Sequence, residues 1–443
     1  MTLSQIGRSS GPASSEFHLS GLPITALAER YGTPLFAYDR EAFDRQLDLL
    51  RAALPREFEV YYSVKANPNL AILRHFVVRG CGLETASAGE MLQALAAGCP
   101  AEKIVFAGPA KTDDELELAV RHGIGEIHVE SSWEATRIAA LCRSRGVRAR
   151  VAVRVNPAGD AEGGALRMGG RPAPFGVDEE KLDSLVDYIV GEDCLELSGI
   201  HMFAGTQILD YEVLAAQYRK GVSIARGVAL RTGRPLRTVD LGGGLGIPYF
   251  AGDQQLDLER LAAELALLMD EVRRDPFFEA ARFLIEPGRF LVGEAGVYVV
   301  RVIDIKESRG KKFVIVDGGM NHHLAASGNL GQTIKRNFPI VLLQKMDQPA
   351  DEIVDVVGPL CTPLDTLGRS VRLPRAAIGD LVGILQSGAY ALSASPLQFL
   401  SHSSPAEVWV DRGKDFLIRS RGRPEDAMRG VHVPPSLKEL CPK

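Results

Sequence analysis

From about Val60 to Arg289 the chain alternates short apolar runs with longer stretches whose apolar residues fall three and four positions apart. The runs VYYSV, GLETA, IVFAG, EIHVE, RVAVRVN, LSGIHMFAG, TVDLGG and FLIEP predict buried strands. Between them AGEMLQALAAG, DDELELAVRHG and ESSWEATRIAALCRSRG predict amphipathic helices. Strands separated by helices in this number predict an α/β fold, a closed (β/α)8 TIM-like barrel, with an open doubly wound sheet as the competing arrangement. Lys65, Thr206, Gly242–Gly244 and Glu286–Arg289 all follow strands. A barrel gathers such positions on its C-terminal rim, whereas an open sheet spreads them along an edge, so the barrel is preferred.

The pattern changes after Val297. YVVRVIDIKES, KKFVIVDGG, DEIVDVVG and DLVGILQSG predict strands joined by tight polar turns, one of them Ser308-Arg309-Gly310. A barrel over 41–296 therefore precedes a C-terminal mostly-β domain over 297–443. The strand-like FHLSG and TPLFAYD assign 16–40 to a segment joining that β domain, and the Ser/Gly content of 1–15 predicts disorder.

Composition narrows the function classes. A net charge of −5 over 443 residues gives no reason to expect nucleic acid or an anionic membrane as partner. The N-terminus lacks a basic segment leading into an apolar core, and no apolar run reaches membrane-spanning length. The six cysteines (81, 99, 142, 194, 361 and 441) are scattered with no C-x-x-C pair, so no disulfide framework and no metal site is expected, in keeping with a cytoplasmic protein. All but Cys361 are expected to be buried apolar filler.

Candidate chemistry begins at Lys65, which ends the run FEVYYSVKANPN. Desolvation there would lower the amine's pKa and make it a nucleophile toward aldehydes, although a lysine merely emerging at the sheet's rim reads the same in isolation. Asp240-Leu241-Gly242-Gly243-Gly244-Leu245-Gly246 closes another strand with glycines whose bare N–H groups suit a phosphate, or alternatively serve close packing. Glu286-Pro287-Gly288-Arg289 holds a carboxylate and a guanidinium on a rigid turn. An amine, phosphate-cradling loops and a fixed carboxylate together describe a site for pyridoxal 5′-phosphate. In it Glu286 would pair with the pyridine nitrogen, which favours decarboxylation over racemisation.

In the order YYSVKANPN, ETAS, GIHMFAGTQ, DLGGGLG, EPGR, GPLC and GAY, the chain resembles the fold-type III pyridoxal-phosphate decarboxylases, the diaminopimelate and ornithine decarboxylase group, from about Leu35 to Val410. The resemblance implies an alanine racemase-like barrel with a β domain, and homodimers that share active sites. It implies that Lys65 forms the Schiff base and that Glu286 faces the ring nitrogen. Gly244, Gly288, Arg289, Thr206 and Tyr390 would lie at the phosphate, with Glu84, Arg154 and Phe203 near the ring. Cys361 would cross from the partner subunit as proton donor.

Departures from the group concern the substrate. Phe203 replaces the second histidine of G-x-H-x-H-x-G-S, Thr362 replaces the acidic residue after the cysteine, and the Arg-x-x-x-Tyr segment for a distal carboxylate is absent. Asp365 is the candidate replacement reader of a distal group, Arg289 and Tyr390 are expected to contact substrate as well as phosphate, and His322 and His323 are candidates for the substrate pocket or for a structural role. Neighbours on a strand point to opposite faces, so the two histidines are not expected to share a metal. These features resemble a subgroup acting on carrier-protein-tethered or siderophore-conjugated amino acids. A modified, conjugated or carrier-bound amino acid is therefore the expected substrate. Diaminopimelate decarboxylation, a racemase and a non-catalytic cofactor-binding protein on the same scaffold are the alternatives.

Overall fold

The computed structural model describes residues 15–158, 166–167, 172–203, 205–250, 252–330, 332 and 335–438. The N-terminal stretch to residue 14 and Cys441 lie outside the described residues.

All eight apolar runs form strands. After an N-terminal strand β1 (Leu35–Asp39) come β2 (Phe58–Ser63), β3 (Gly82–Thr85), β4 (Ile104–Phe106), β5 (Glu126–Val129), β6 (Ala149–Asn156), β7 (Leu195–Met202), β8 (Thr238–Asp240) and β9 (Arg282–Ile285). Each of β2 to β9 pairs in parallel with the next, and β9 pairs back onto β2 through Phe283 and Phe58, closing the barrel. The helices between them carry the stop and start chemistry their sequences imply. Leu70–Val78 starts at Asn69, whose side chain accepts the N–H of Ala71. Asp113–His122 has a Thr112/Glu115 capping box and ends at Gly123 in the left-handed region.

The second sheet is built around the long β10 (Gly296–Ser308), which pairs antiparallel with β11 (Lys311–Val316) across a turn with Arg309 and Gly310 at φ 51° and 76°. Around it lie β12 (Ile340–Leu342), β13 (Glu352–Val357), β14 (Thr366–Leu373), β15 (Leu381–Ile384), β16 (Ala406–Asp411) and β17 (Lys414–Arg419). TPLFAYD supplies β1, which joins this sheet between β10 and β16. FHLSG does not: His18–Leu19 pairs only with Leu22–Pro23 in a small hairpin, tied to the sheet's edge region by the Phe17 N–H to the Leu343 carbonyl at 2.7 Å. Its polar His18 and the Ser20-Gly21 turn, with Ser20 at φ 44°, cut the run short. No helix among the described residues is long and apolar enough to cross a membrane.

Candidate active site

The C-terminal rim of the barrel opens into a cavity of about 490 Å³, into which Lys65, Glu84, Arg154, Phe203, Thr206, Glu286, Arg289 and Tyr390 all project. Aromatic residues Phe175, Tyr249, Phe250 and Phe338, with Ala325 and Leu330, line it further. Lys65 stands just past β2 in a single helical turn, Val64–Ala66. Its Nζ donates to Glu84 Oε2 at 2.8 Å, and the same oxygen accepts Ser63 Oγ at 2.5 Å. The expectation of a depressed amine pKa fails here. Burial does pull the ammonium down, but the charges of Glu84, Tyr390 and Glu286 outweigh it and hold Lys65 above the ordinary lysine range. Glu84, fully buried and reaching only Lys65 and Ser63, is the cause. A bound aldehyde must displace this ion pair.

Glu286 is buried directly after β9, with Oε2 3.3 Å from His201 Nε2 and Oε1 without a hydrogen-bond partner. Burial alone would raise its pKa; His201, with His128 and Lys65 behind it, reverses the sign and holds the carboxyl well below the usual range. His201 itself is pulled down to about 4 by burial, despite Glu286, and is neutral. Arg289 donates to Tyr249 Oη at 2.9 Å, lies between the Tyr249 and Tyr390 rings at 5.2 and 4.8 Å, and leaves its Nε unpartnered. Arg154 is anchored by Glu130 at 2.7 Å, and Glu130 also accepts the N–H groups of Gly108 and Gly176.

The glycine loop is placed differently from the simplest expectation. Gly242 has φ +67° and donates its N–H to Asp240 Oδ1 at 2.9 Å, so it is not free for a phosphate. A Cβ on Gly242 would stand 2.5 Å from the Met202 carbonyl oxygen, and one on Gly243 2.4 Å from that of Glu286. These glycines let three strand ends converge, and none of Gly242, Gly243 and Gly244 lines the cavity. Gly288 has the same packing role: a Cβ there would meet that of Ala66 at 2.9 Å and stand 3.5 Å from Tyr390 Oη.

Of the expected substrate residues Arg289 and Tyr390 line the cavity, whereas Asp365, His322 and His323 lie elsewhere. Asp365 is buried, accepting the N–H groups of Met320 at 2.6 Å and Leu360 at 2.9 Å, and Gly319 and Gly358 pack on its carboxylate. It ties two loops together and does not reach the cavity. His322 is held by Tyr298 Oη and the Ser403 carbonyl, both at 3.1 Å. His323 Nε2 lies 3.0 Å from Ser387 Oγ, and its Nδ1 accepts the Ala326 N–H at 3.3 Å. Both are buried, held by these contacts, and do not line their own chain's cavity. Cys361 is exposed on the turn after β13 and does not line its own chain's cavity, whereas Cys81, Cys99, Cys142 and Cys194 are buried.

Burial lowers the His323 pKa to about 3, against ~6.5 for the unfolded chain. Its contribution to stability is therefore present above pH ~6.5 and lost as pH falls toward the folded value. Relative to His323→Asn, which cannot titrate, the wild-type protein is expected to lose ~3 kcal/mol between pH 7 and pH 4. Urea midpoints for both proteins across that range check this; a constant difference would refute it.

His201 escaped attention as a site residue, although the period of two along β7 puts it on the same face as Phe203. His128 and Asp240, which meet His201 and Glu286 in the barrel interior, carried no local signal beyond being polar residues inside apolar runs.

The residues present fit pyridoxal phosphate. A buried carboxylate oxygen lacking a donor lies on one side of Lys65, and a buried guanidinium lacking an acceptor at Nε lies near Thr206 and Tyr390. Comparison with known proteins agrees. Residues 40–293 match the family described as "Pyridoxal-dependent decarboxylase, pyridoxal binding domain". The chain is 39% identical to the L-glutamyl-[BtrI acyl-carrier protein] decarboxylase of Niallia circulans, over 92% of this chain and 96% of that one. It is 34% identical to the diaminopimelate decarboxylase of Methanothermobacter thermautotrophicus, over 95% and 96%. The crystal structure of diaminopimelate decarboxylase from M. jannaschii superposes with a TM-score of 0.88 at 29% identity, covering 96% of this chain and 98% of that one.

Proposed function

The chain belongs to the pyridoxal-dependent decarboxylases and acts on amino acids with pyridoxal phosphate as cofactor, and on that premise we propose that its substrate is an amino acid joined through its distal end to a larger neutral group, such as a carrier-protein thioester. One observation carries this reading: among the described residues lining the cavity, no charged side chain is left over for a distal ammonium or carboxylate once Arg289 is assigned to the cofactor's phosphate. Its two carboxylates are engaged by Lys65 and His201, and its guanidiniums by Glu130 and Tyr249. The remainder of the wall is largely aromatic or apolar, with Gln207 and Gln332 as neutral polar groups. Diaminopimelate has an ammonium and a carboxylate at its distal end, and both would be desolvated there without a partner. The identity to a glutamyl-carrier-protein decarboxylase points the same way.

Pyridoxal phosphate, when bound, accepts into its ring the electron pair left when the Cα–carboxylate bond breaks. Lys65 Nζ would hold the cofactor's aldehyde carbon. Glu286 Oε1 would accept the ring N–H, Phe203 and Glu84 would flank the ring, and Arg289, Thr206 and Tyr390 would hold the phosphate. Arg154 would orient the substrate side. After carbon dioxide leaves, Cα needs a proton, which Cys361 Sγ would supply from the partner subunit of a homodimer.

Carbon dioxide release is expected to favour a glutamyl-carrier-protein thioester over free meso-diaminopimelate or ornithine by about 100-fold in kcat/KM, because the latter leave buried charges unpaired. Equal turnover of free meso-diaminopimelate would overturn the substrate reading. Cys361→Ala is expected to lose about 10²- to 10⁴-fold in kcat while keeping cofactor affinity. Mixing it with Lys65→Ala should restore about a quarter of wild-type activity, since half the dimers are mixed and each holds one intact site. No recovery on mixing would place the cysteine in its own chain's site or outside catalysis.

A further inference from the structure

Beneath the cavity the barrel interior is polar where branched apolar side chains usually fill it. Glu126 and His128 of β5, His201 of β7, Asp240 of β8 and Glu286 after β9 all point inward and are buried. Side-chain atoms of the last four lie within 4.8 Å of one another. His128 Nε2 stands 3.2 Å from Glu126 Oε1 and 3.7 Å from Asp240 Oδ2, and its ring stacks on His201 at 4.3 Å. Glu126 is fixed in turn by the Ser198 hydroxyl. Tyr218 adjoins Asp240 electrostatically, as Arg154 does His201 and Lys65 does Glu286.

Two buried carboxyl groups this close cannot both be ionised in a dry interior. Their surroundings decide which keeps the proton. Glu286 Oε2 lies 3.3 Å from His201 Nε2, which has no other partner among the described residues, and the positive charge of Lys65 also favours its anion. Asp240 has the Gly242 N–H on Oδ1, whereas its Oδ2 has no acceptable partner, with His128 at 3.7 Å. Only as an acid can that Oδ2 donate. Burial and the adjacent Glu286 accordingly push the Asp240 carboxyl far up.

We propose that Asp240 and His201 are positioning residues for Glu286, a neutral carboxylic acid and a neutral imidazole that both donate to its carboxylate from the barrel interior. The arrangement leaves Glu286 anionic, with Oε1 aimed at the cavity. The inference rests on the reading of Glu286 as the partner of the cofactor's ring nitrogen. It explains why an aspartate is needed at the head of the glycine turn: its two oxygens bind the turn's N–H and the cofactor's carboxylate partner at once.

The first test needs no cofactor. The infrared difference between wild-type apoprotein and Asp240→Asn at neutral pH is expected to contain the C=O stretch of a protonated carboxylic acid, absent from the variant. The second titrates pyridoxal phosphate into apoprotein and follows its absorbance. Asp240→Asn, which keeps a neutral donor, should hold the affinity within about threefold, whereas Asp240→Leu should weaken it about ten- to a hundredfold. If the leucine variant does not fold, the infrared band and the asparagine titration decide the matter. An unchanged infrared spectrum, or an asparagine variant weakened about a hundredfold or more, overturns the proposal. Glu286→Gln separates the two levels. If it leaves affinity and absorbance untouched, the Glu286 contact itself falls; if it impairs both while Asp240→Asn fails the first test, only the role of Asp240 falls.

Discussion

Lys65→Ala is expected to lose at least about 10⁴-fold in kcat, and with it the borohydride-stable cofactor adduct on that residue's peptide. Loss of fold would not account for such a result. The Lys65 side chain keeps 43% of its surface exposed, so its pairing with Glu84 is partly screened, and removing it should cost about 1 kcal/mol or less. Glu84 also keeps the Ser63 hydroxyl. The thermal midpoint should therefore stay close to wild type while turnover disappears. Mass spectrometry after borohydride reduction checks the assignment directly. An adduct still present at wild-type yield in Lys65→Ala would move the covalent role to another lysine. Lys111, a buried lysine, is a poor substitute: its Nζ is spent on two carbonyl oxygens and Glu134, and it does not line the cavity.

Much of this site was legible because barrel topology converts sequence position into spatial position. Lys65, Thr206, Glu286 and Arg289 each follow a strand, and a closed parallel barrel leaves such residues one rim on which to meet. The strands were legible because both their faces are buried, giving continuous apolar runs with abrupt ends. What stayed hidden has physical causes as well. Gly242 was read as a phosphate donor because exposed N–H groups and close packing demand the same residue, and only the 2.5 Å approach to the Met202 carbonyl separates them. Asp365 and the His322-His323 pair looked like substrate readers because a polar residue near catalytic motifs reads the same whether it contacts ligand or ties loops together. Their partners, Met320, Leu360, Ser387 and Ser403, are backbone or hydroxyl groups with no sequence signature. The raised Lys65 pKa is hidden for a related reason: the apolar run around the lysine signals burial, but nothing in it signals the carboxylate of Glu84, 19 residues away. His128 and Asp240 sit within strands whose apolar neighbours dominate the pattern.

Glu286→Gln should separate function from stability most sharply. In the wild-type protein Glu286 is a buried carboxylate beside the neutral carboxyl of Asp240, compensated by His201, with His128 and Lys65 behind it. Replacing that carboxylate by an isosteric amide removes the cost of burying its charge. The amide oxygen can still accept from His201, and the amide NH2 can donate to Asp240 Oδ2, which then no longer needs its own proton. Apoprotein stability is therefore expected to stay level or rise. On the proposed role of Glu286 at the ring nitrogen, turnover is expected to fall about 10²- to 10³-fold, since a neutral amide would give up the negative charge that would hold a proton there. Steady-state kinetics and thermal unfolding of the same preparation check both halves. A kcat within about tenfold of wild type would mean that the ring is tuned from elsewhere in the cavity. A drop in stability together with kcat would make Glu286 a structural residue first. Loss of rate without loss of stability is the pattern expected of a charge that the fold tolerates only because the chemistry requires it.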